Sequence, residues 1–166
     1  IGGILAFYII NQFEDSLNKF VYLAAFIPVI MGMGGNIGTQ SSTIVVRGLA
    51  TGRISIGEIG SVVLKELAVG FILGVIYGII IGSVAHFSYR VDMLALSVGM
   101  AVVASMAIAA LVGSFVPMAF ARVNIDPAVA TGPFVTTSME ISGLQVAMKE
   151  SLSMIIQEVI SEGRTK

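Results

Sequence analysis

The chain has 166 residues, of which 56% are hydrophobic and only 11% charged, with a formal net charge of −1 and a mean hydropathy of +0.97. A soluble domain carries about 25% charged residues, and a near-neutral chain is not a strongly basic nucleic-acid binder. The absence of cysteine excludes disulfides, thiolate metal sites and cysteine nucleophiles, and the lone histidine, His86, excludes a multi-histidine metal site within one chain.

Apolar stretches of about 20 residues, long enough to cross a bilayer, recur along the chain. They predict an all-α, polytopic membrane protein with five transmembrane segments. Ile1–Gln12 is apolar but too short to span, so upstream residues are expected, and nothing about it fits a cleaved signal peptide. Glu14, Asp15, Asn18 and Lys19 make a polar turn. Phe20–Val46 is the second segment, and Arg47–Gly57 a loop. The third runs from Glu58 to about His86, with a turn over Ser88–Asp92. The fourth is Val91–Ala121, where Pro117 is expected to bend the end. After a loop over Arg122–Thr131, the fifth begins at Gly132, with Pro133 suited to a first helical turn. It ends in a charged tail, Arg164, Thr165 and Lys166.

Small residues recur every fourth position in two segments: Gly70, Gly74, Gly78 and Gly82, then Ser97, Ala101, Ser105, Ala109 and Gly113. Residues four apart share a helix face, and small faces let membrane helices approach closely. The stripes predict a tight scaffold around the more polar helices. Loops after the second and fourth segments hold Arg47, Arg53, Lys65 and Arg122, which the positive-inside rule places in the cytoplasm. Lys149, Arg164 and Lys166 nearly cancel that bias.

Glu140 is the most informative charge. It stands about nine residues into the fifth segment, roughly 14 Å along a helix. An ionisable group at that depth costs at least about 2.5 kcal/mol and usually faces a cavity or an ion. The bland alternative is a protonated glutamate bonded to a neighbouring hydroxyl. Thr136, Thr137 and Gly143, at helical spacing from it, make one narrow, oxygen-rich face. A single threonine is more simply read as bonding its own backbone. In the second segment, Asn36 is about eleven residues from the end, roughly 16 Å, which sets it at the depth of Glu140. Thr39, Gln40 and Thr43 lie nearer the surface. Gly32, Gly34, Gly35 and Gly38 are expected to loosen this helix and present carbonyl oxygens, which at membrane depth is tolerated only against protein or a watery cavity. The competing reading is a glycine-rich helix contact with Asn36 as interhelical glue. Oxygen ligands without sulfur suit hard cations, and Mg²⁺ is held by few carboxylates while keeping its waters. Two copies about a twofold axis, the commonest symmetry, bring two deep carboxylates to one divalent ion.

Three stretches, PVIMGMGGNIGTQSSTIVVRGLATG, KELAVGFILG and VNIDPAVATGPFVTTSMEISG, resemble the membrane domain of MgtE-type magnesium channels, in the same order and over most of the chain. The resemblance implies a five-helix domain that forms a homodimer in the cell membrane. Its pore is lined by the second and fifth helices and passes hydrated Mg²⁺, with Mn²⁺ or Ca²⁺ as further candidate ions. The family's deep acidic residue matches Glu140, where aspartate is usual. Its asparagines match Gly132 and Thr39. Backbone carbonyls near Thr136 are implicated, and Asp126 falls at the cytosolic mouth. The first segment fits the end of the family's first helix; many members carry a cytosolic magnesium-sensing region before the membrane domain, and the expectation is either that it has been removed from this sequence or that the chain is of a shorter type. The related animal solute-carrier transporters share the membrane module and are thought to be exchangers. The candidate ion-site residues are thus Glu140, Thr136, Asn36, Thr137, Thr39, Gln40, Thr43 and Asp126. Alternatives are a Na⁺- or H⁺-coupled divalent cation exchanger and a structural membrane subunit that transports nothing. No HExxH or GxSxG motif points to an enzyme.

Overall fold

The computed structural model describes residues 4, 7–9, 11, 24–131 and 133–163, and no strand occurs among them. Four long helices carry the fold: α1 (Ile27–Ala50), α2 (Ile59–Tyr89), α3 (Asp92–Arg122) and α4 (Pro133–Gly163). Short 3₁₀ turns lie at Ile56–Glu58 and Pro127–Thr131. These helices are the second to fifth predicted segments. Of the first, residues 4, 7–9 and 11 are helical. The rest of it lies outside the described residues, as do the polar turn of Glu14, Asp15, Asn18 and Lys19, Gly132, and the tail of Arg164, Thr165 and Lys166.

Helix ends differ from the sequence reading for local reasons. The second segment was expected to be helical from Phe20, but Ala25 and Phe26 form a turn and α1 begins at Ile27 with Pro28 in its first turn. Proline's fixed φ and missing N–H suit that position. At its other end α1 runs past Val46 to Ala50. It stops where Gly52 adopts φ +68°, a left-handed conformation that glycine takes without steric cost. The amides of Arg53 and Ile54 then both donate to the Gly48 carbonyl, at 2.9 and 3.1 Å, and the Ile54 side chain closes over Gly48. Ser55 donates from its amide and hydroxyl to Glu58 Oε2, each at 2.9 Å. This capping box leads into α2. The third helix holds Pro117 but continues to Arg122.

The two small-residue stripes do not pack on each other. The glycines of α2 meet a different face of α3: Gly70 lies against Ala110, Gly74 against Val103, Gly78 against Gly99 and Gly82 against Ala95. A β-carbon on Gly78 would stand 2.7 Å from the Gly99 carbonyl oxygen, so the backbones touch. The descending partner numbers make the pair antiparallel. The stripe on α3 looks the other way, with Ser105 against Gly34 of α1 and Gly143 of α4, and Gly113 against Gly38 of α1. Here α3 lies parallel to α1. It is therefore the central helix, and half of the buried side chains of the two core clusters belong to it, more than to any other helix.

The sequence predicts five spans. By length and composition, two helices among the described residues can cross a membrane, Ile56–Tyr89 and Asp92–Arg122. Helices α1 and α4 fall short of that measure because glycines and polar side chains stand among their apolar ones, and most of the first segment lies outside the described residues.

Candidate functional site

The two faces of α1 are chemically distinct. Ile30, Gly34, Ile37, Gly38, Ser41 and Val45 are buried, whereas Asn36, Thr39, Gln40 and Thr43 are exposed. Residues three and four apart lie one above another, so the four form a continuous amide and hydroxyl surface. Thr43 Oγ1 donates to the Thr39 carbonyl at 2.8 Å, the backbone bond expected of a threonine in such a helix. Its oxygen still has acceptor capacity facing outward.

On α4, Val135, Met139, Leu144, Ala147 and Met148 are buried and hold the helix against its neighbours. Thr136 is exposed, and Thr137 and Glu140 are half-buried. The register between α1 and α4 is set by two contacts: Gly38 against Met139, and Met31 against Gly143. The helices are antiparallel. Asn36 falls between Met31 and Gly38, and Glu140 between Gly143 and Met139, so both residues stand at one level of the bundle.

The glycines of α1 act differently from the sequence expectation. The helix is not loosened; it is regular throughout Ile27–Ala50. Gly34 and Gly38 are contact points, where Ser105 and Met139 occupy the room a side chain would need. Gly32 and Gly35 have nothing within 4 Å of a built β-carbon. Ser105 sits where three helices meet. Its hydroxyl donates to the Ile30 carbonyl at 3.3 Å and lies 3.1 Å from a built β-carbon on Gly143. The sequence places Ser105 on a small face and Gly143 on the oxygen-rich face of Glu140, whereas Gly143 is buried against Met31 and Ser105; it gives no signal for Met139, which reads as one more apolar residue beside Glu140.

Asp126 stands apart from this face. It is exposed in the α3–α4 connection, and its Oδ1 accepts the Ala128 amide at 2.9 Å. It lines a pocket of about 750 Å³ at the end of α1, together with Ser55 and Asn124. Among the described residues the one contact between a basic side chain and a carboxylate is His86 Nδ1 to Asp92 Oδ1 at 2.8 Å, at the α2–α3 turn; none involves Glu140. No group of three or more His, Cys, Asp or Glu gathers among the described residues. Within one copy the described residues thus set one carboxylate, Glu140, among neutral oxygens.

Two helices of membrane-crossing length joined through glycine, with an exposed oxygen-rich surface on the helix beside them, make a helical bundle whose length and composition suit a membrane. Residues 27–148 match the family model MgtE, described as a divalent cation transporter, and the chain belongs to that family. The family consists of transporters and not enzymes. The chain is 31% identical to the magnesium transporter MgtE of Thermus thermophilus over 160 residues, covering 96% of this chain and 35% of that protein. It is 31% identical to the Bacillus subtilis magnesium transporter MgtE over 87% of this chain and 32% of that protein. For the magnesium transporter MgtE of Enterococcus faecalis the identity is 33%, over 83% and 30%. The chain thus spans about a third of the length of the curated relatives it matches.

Proposed function

We propose that the chain is a multi-pass module of the cell membrane that passes hydrated Mg²⁺ through a pore between two copies of itself. In this reading α1 and α4 of each copy line the path, and the segment before α1 completes five spans. Glu140 supplies the deep negative charge. Asn36, Thr39, Gln40, Thr43, Thr136 and Thr137 orient the waters of the ion, and Asp126 collects cations at one mouth. Mn²⁺ and Ca²⁺, also hard and oxygen-seeking, are the ions to compare with Mg²⁺.

One observation carries the reading: the exposed Asn36, Thr39, Gln40 and Thr43 surface of α1, with Glu140 at the level of Asn36. Such a surface is costly against lipid, since polar side chains at membrane depth face the bundle interior or a watery cavity. A second copy laid against it would enclose water and bring two carboxylates to the axis. The magnesium transport named for the three relatives supports Mg²⁺ as the ion.

Reconstitution in liposomes containing a Mg²⁺-sensitive dye tests this. The chain is expected to admit Mg²⁺ down its gradient, and Glu140→Ala to abolish the signal. Undiminished flux through Glu140→Ala would remove the carboxylate from its role.

A further inference from the structure

The turn that ends α1 does more than reverse the chain. Gly52 in its left-handed conformation, with Arg53 and Ile54 both bonded to the Gly48 carbonyl, folds the chain back upon the last turn of the helix. Arg47 lies in that last turn. Arg53 is returned beside it, and the two arginines line one pocket of about 310 Å³ with Ile44, Gly48, Thr51 and Ile54.

The pocket has no acidic residue in its lining. Neither arginine has an ion-pair partner among the described residues. Glu58, an acid a few residues further on, is turned onto Ser55 by both hydrogen bonds of the capping box. A cation in the last turn of a helix is favoured by the helix dipole, and that accounts for Arg47. It does not account for Arg53, which lies beyond the helix and adds a like charge to the same pocket. Two guanidiniums around one cavity repel unless an anion lies between them, and their planar forks match phosphate oxygens two at a time.

We infer that Arg47 and Arg53 form a binding site for the phosphate of an anionic phospholipid headgroup. This rests on the membrane reading of the proposed function. The position selects lipid over a soluble anion. Ile44 stands exposed on α1 shortly before Arg47, and Ile44 and Ile54 give the pocket an apolar side. A site with guanidiniums on one side and aliphatic carbon on the other suits the junction of headgroup and acyl chain, where basic residues meet anionic leaflets. The turn is closed by backbone hydrogen bonds, so little ordering is left to the moment of binding.

Native mass spectrometry of the detergent-purified chain, titrated with phosphatidylglycerol or phosphatidylcholine, reads the site directly. Wild type is expected to prefer phosphatidylglycerol. Arg47→Gln and Arg53→Gln are each expected to weaken that binding about fivefold to tenfold. Lys65→Gln, an exposed cation outside the pocket, is expected to leave it unchanged. Equal preference in the double glutamine variant would overturn the assignment. Displacement of the lipid by millimolar inorganic phosphate would overturn its lipid source in favour of a soluble anion. Should a glutamine variant fail to fold, the pair R47K/R53K keeps the charge and loses the fork. It is expected to lose part of the preference, and full retention would overturn the proposal. Flotation with vesicles separates the two readings. A chain that floats with neither lipid overturns the membrane reading and this site with it; one that floats with both and shows no preference overturns this site alone.

Discussion

The thioether of Met139 fills the space that a β-carbon on Gly38 would occupy. This contact joins α4 to α1 one residue away from Glu140, so it sets where the carboxylate stands. Gly38→Ala is expected to force Met139 aside and to cost about 1–3 kcal/mol by overpacking. Met139→Ala alone leaves a cavity and is expected to cost about 2–5 kcal/mol. Combined, the two changes should cost clearly less than their sum, because each relieves the other. Thermal unfolding of the four proteins in detergent measures the coupling, and strictly additive losses would show that the two residues do not share the space.

Glycine to alanine is expected to have opposite signs at two positions. At Gly78 the new methyl would meet the Gly99 carbonyl oxygen at 2.7 Å and Val103 Cγ2 at 3.0 Å. The first of these is backbone and cannot step aside, so a loss of about 1–3 kcal/mol is expected. At Gly32 nothing lies within 4 Å, and alanine in a helix is favoured over glycine by about 0.5–1 kcal/mol. Gly32→Ala should therefore unfold no earlier than wild type. It lies one turn before Asn36, on the face proposed to line the path, so Mg²⁺ flux should fall while stability holds. Unchanged flux would mean that this face borders no passage.

Charge and arm length at position 140 can be separated. Glu140→Asp keeps the charge and is expected to retain Mg²⁺ flux. Glu140→Gln keeps the length and should lose at least about tenfold, since an ion at membrane depth needs a counter-charge. A channel should also conduct with Na⁺ and H⁺ gradients collapsed by ionophores. Flux that vanishes under those conditions would favour coupled exchange.

The helices were legible in the sequence because their signals are local: apolar runs of spanning length, Pro133 at a first turn, and small residues at every fourth position. Two features were not. The stripe on α2 and the stripe on α3 look like partners, yet each serves a different neighbour, and periodicity records that a face is small without recording what it touches. The glycines around Asn36 were ambiguous in the same way. A glycine that loosens a helix and one that admits a neighbour's methionine are written identically, and only the position of Met139 decides between them. The exposed amides and hydroxyls of α1 follow from spacing alone. Asp126 was grouped with them by resemblance, and its place in the α3–α4 connection sets it at the end of the bundle.

Helix α2 reaches the rest of the molecule almost wholly through α3. Its outer side, including Ile79 and Phe87 at 65% and 77% exposed, is insulated from the proposed ion face by the full width of another helix. A fluorophore or spin label fixed there would report on the bundle's surroundings without touching the residues proposed to line the path, which makes α2 the natural handle for a probe.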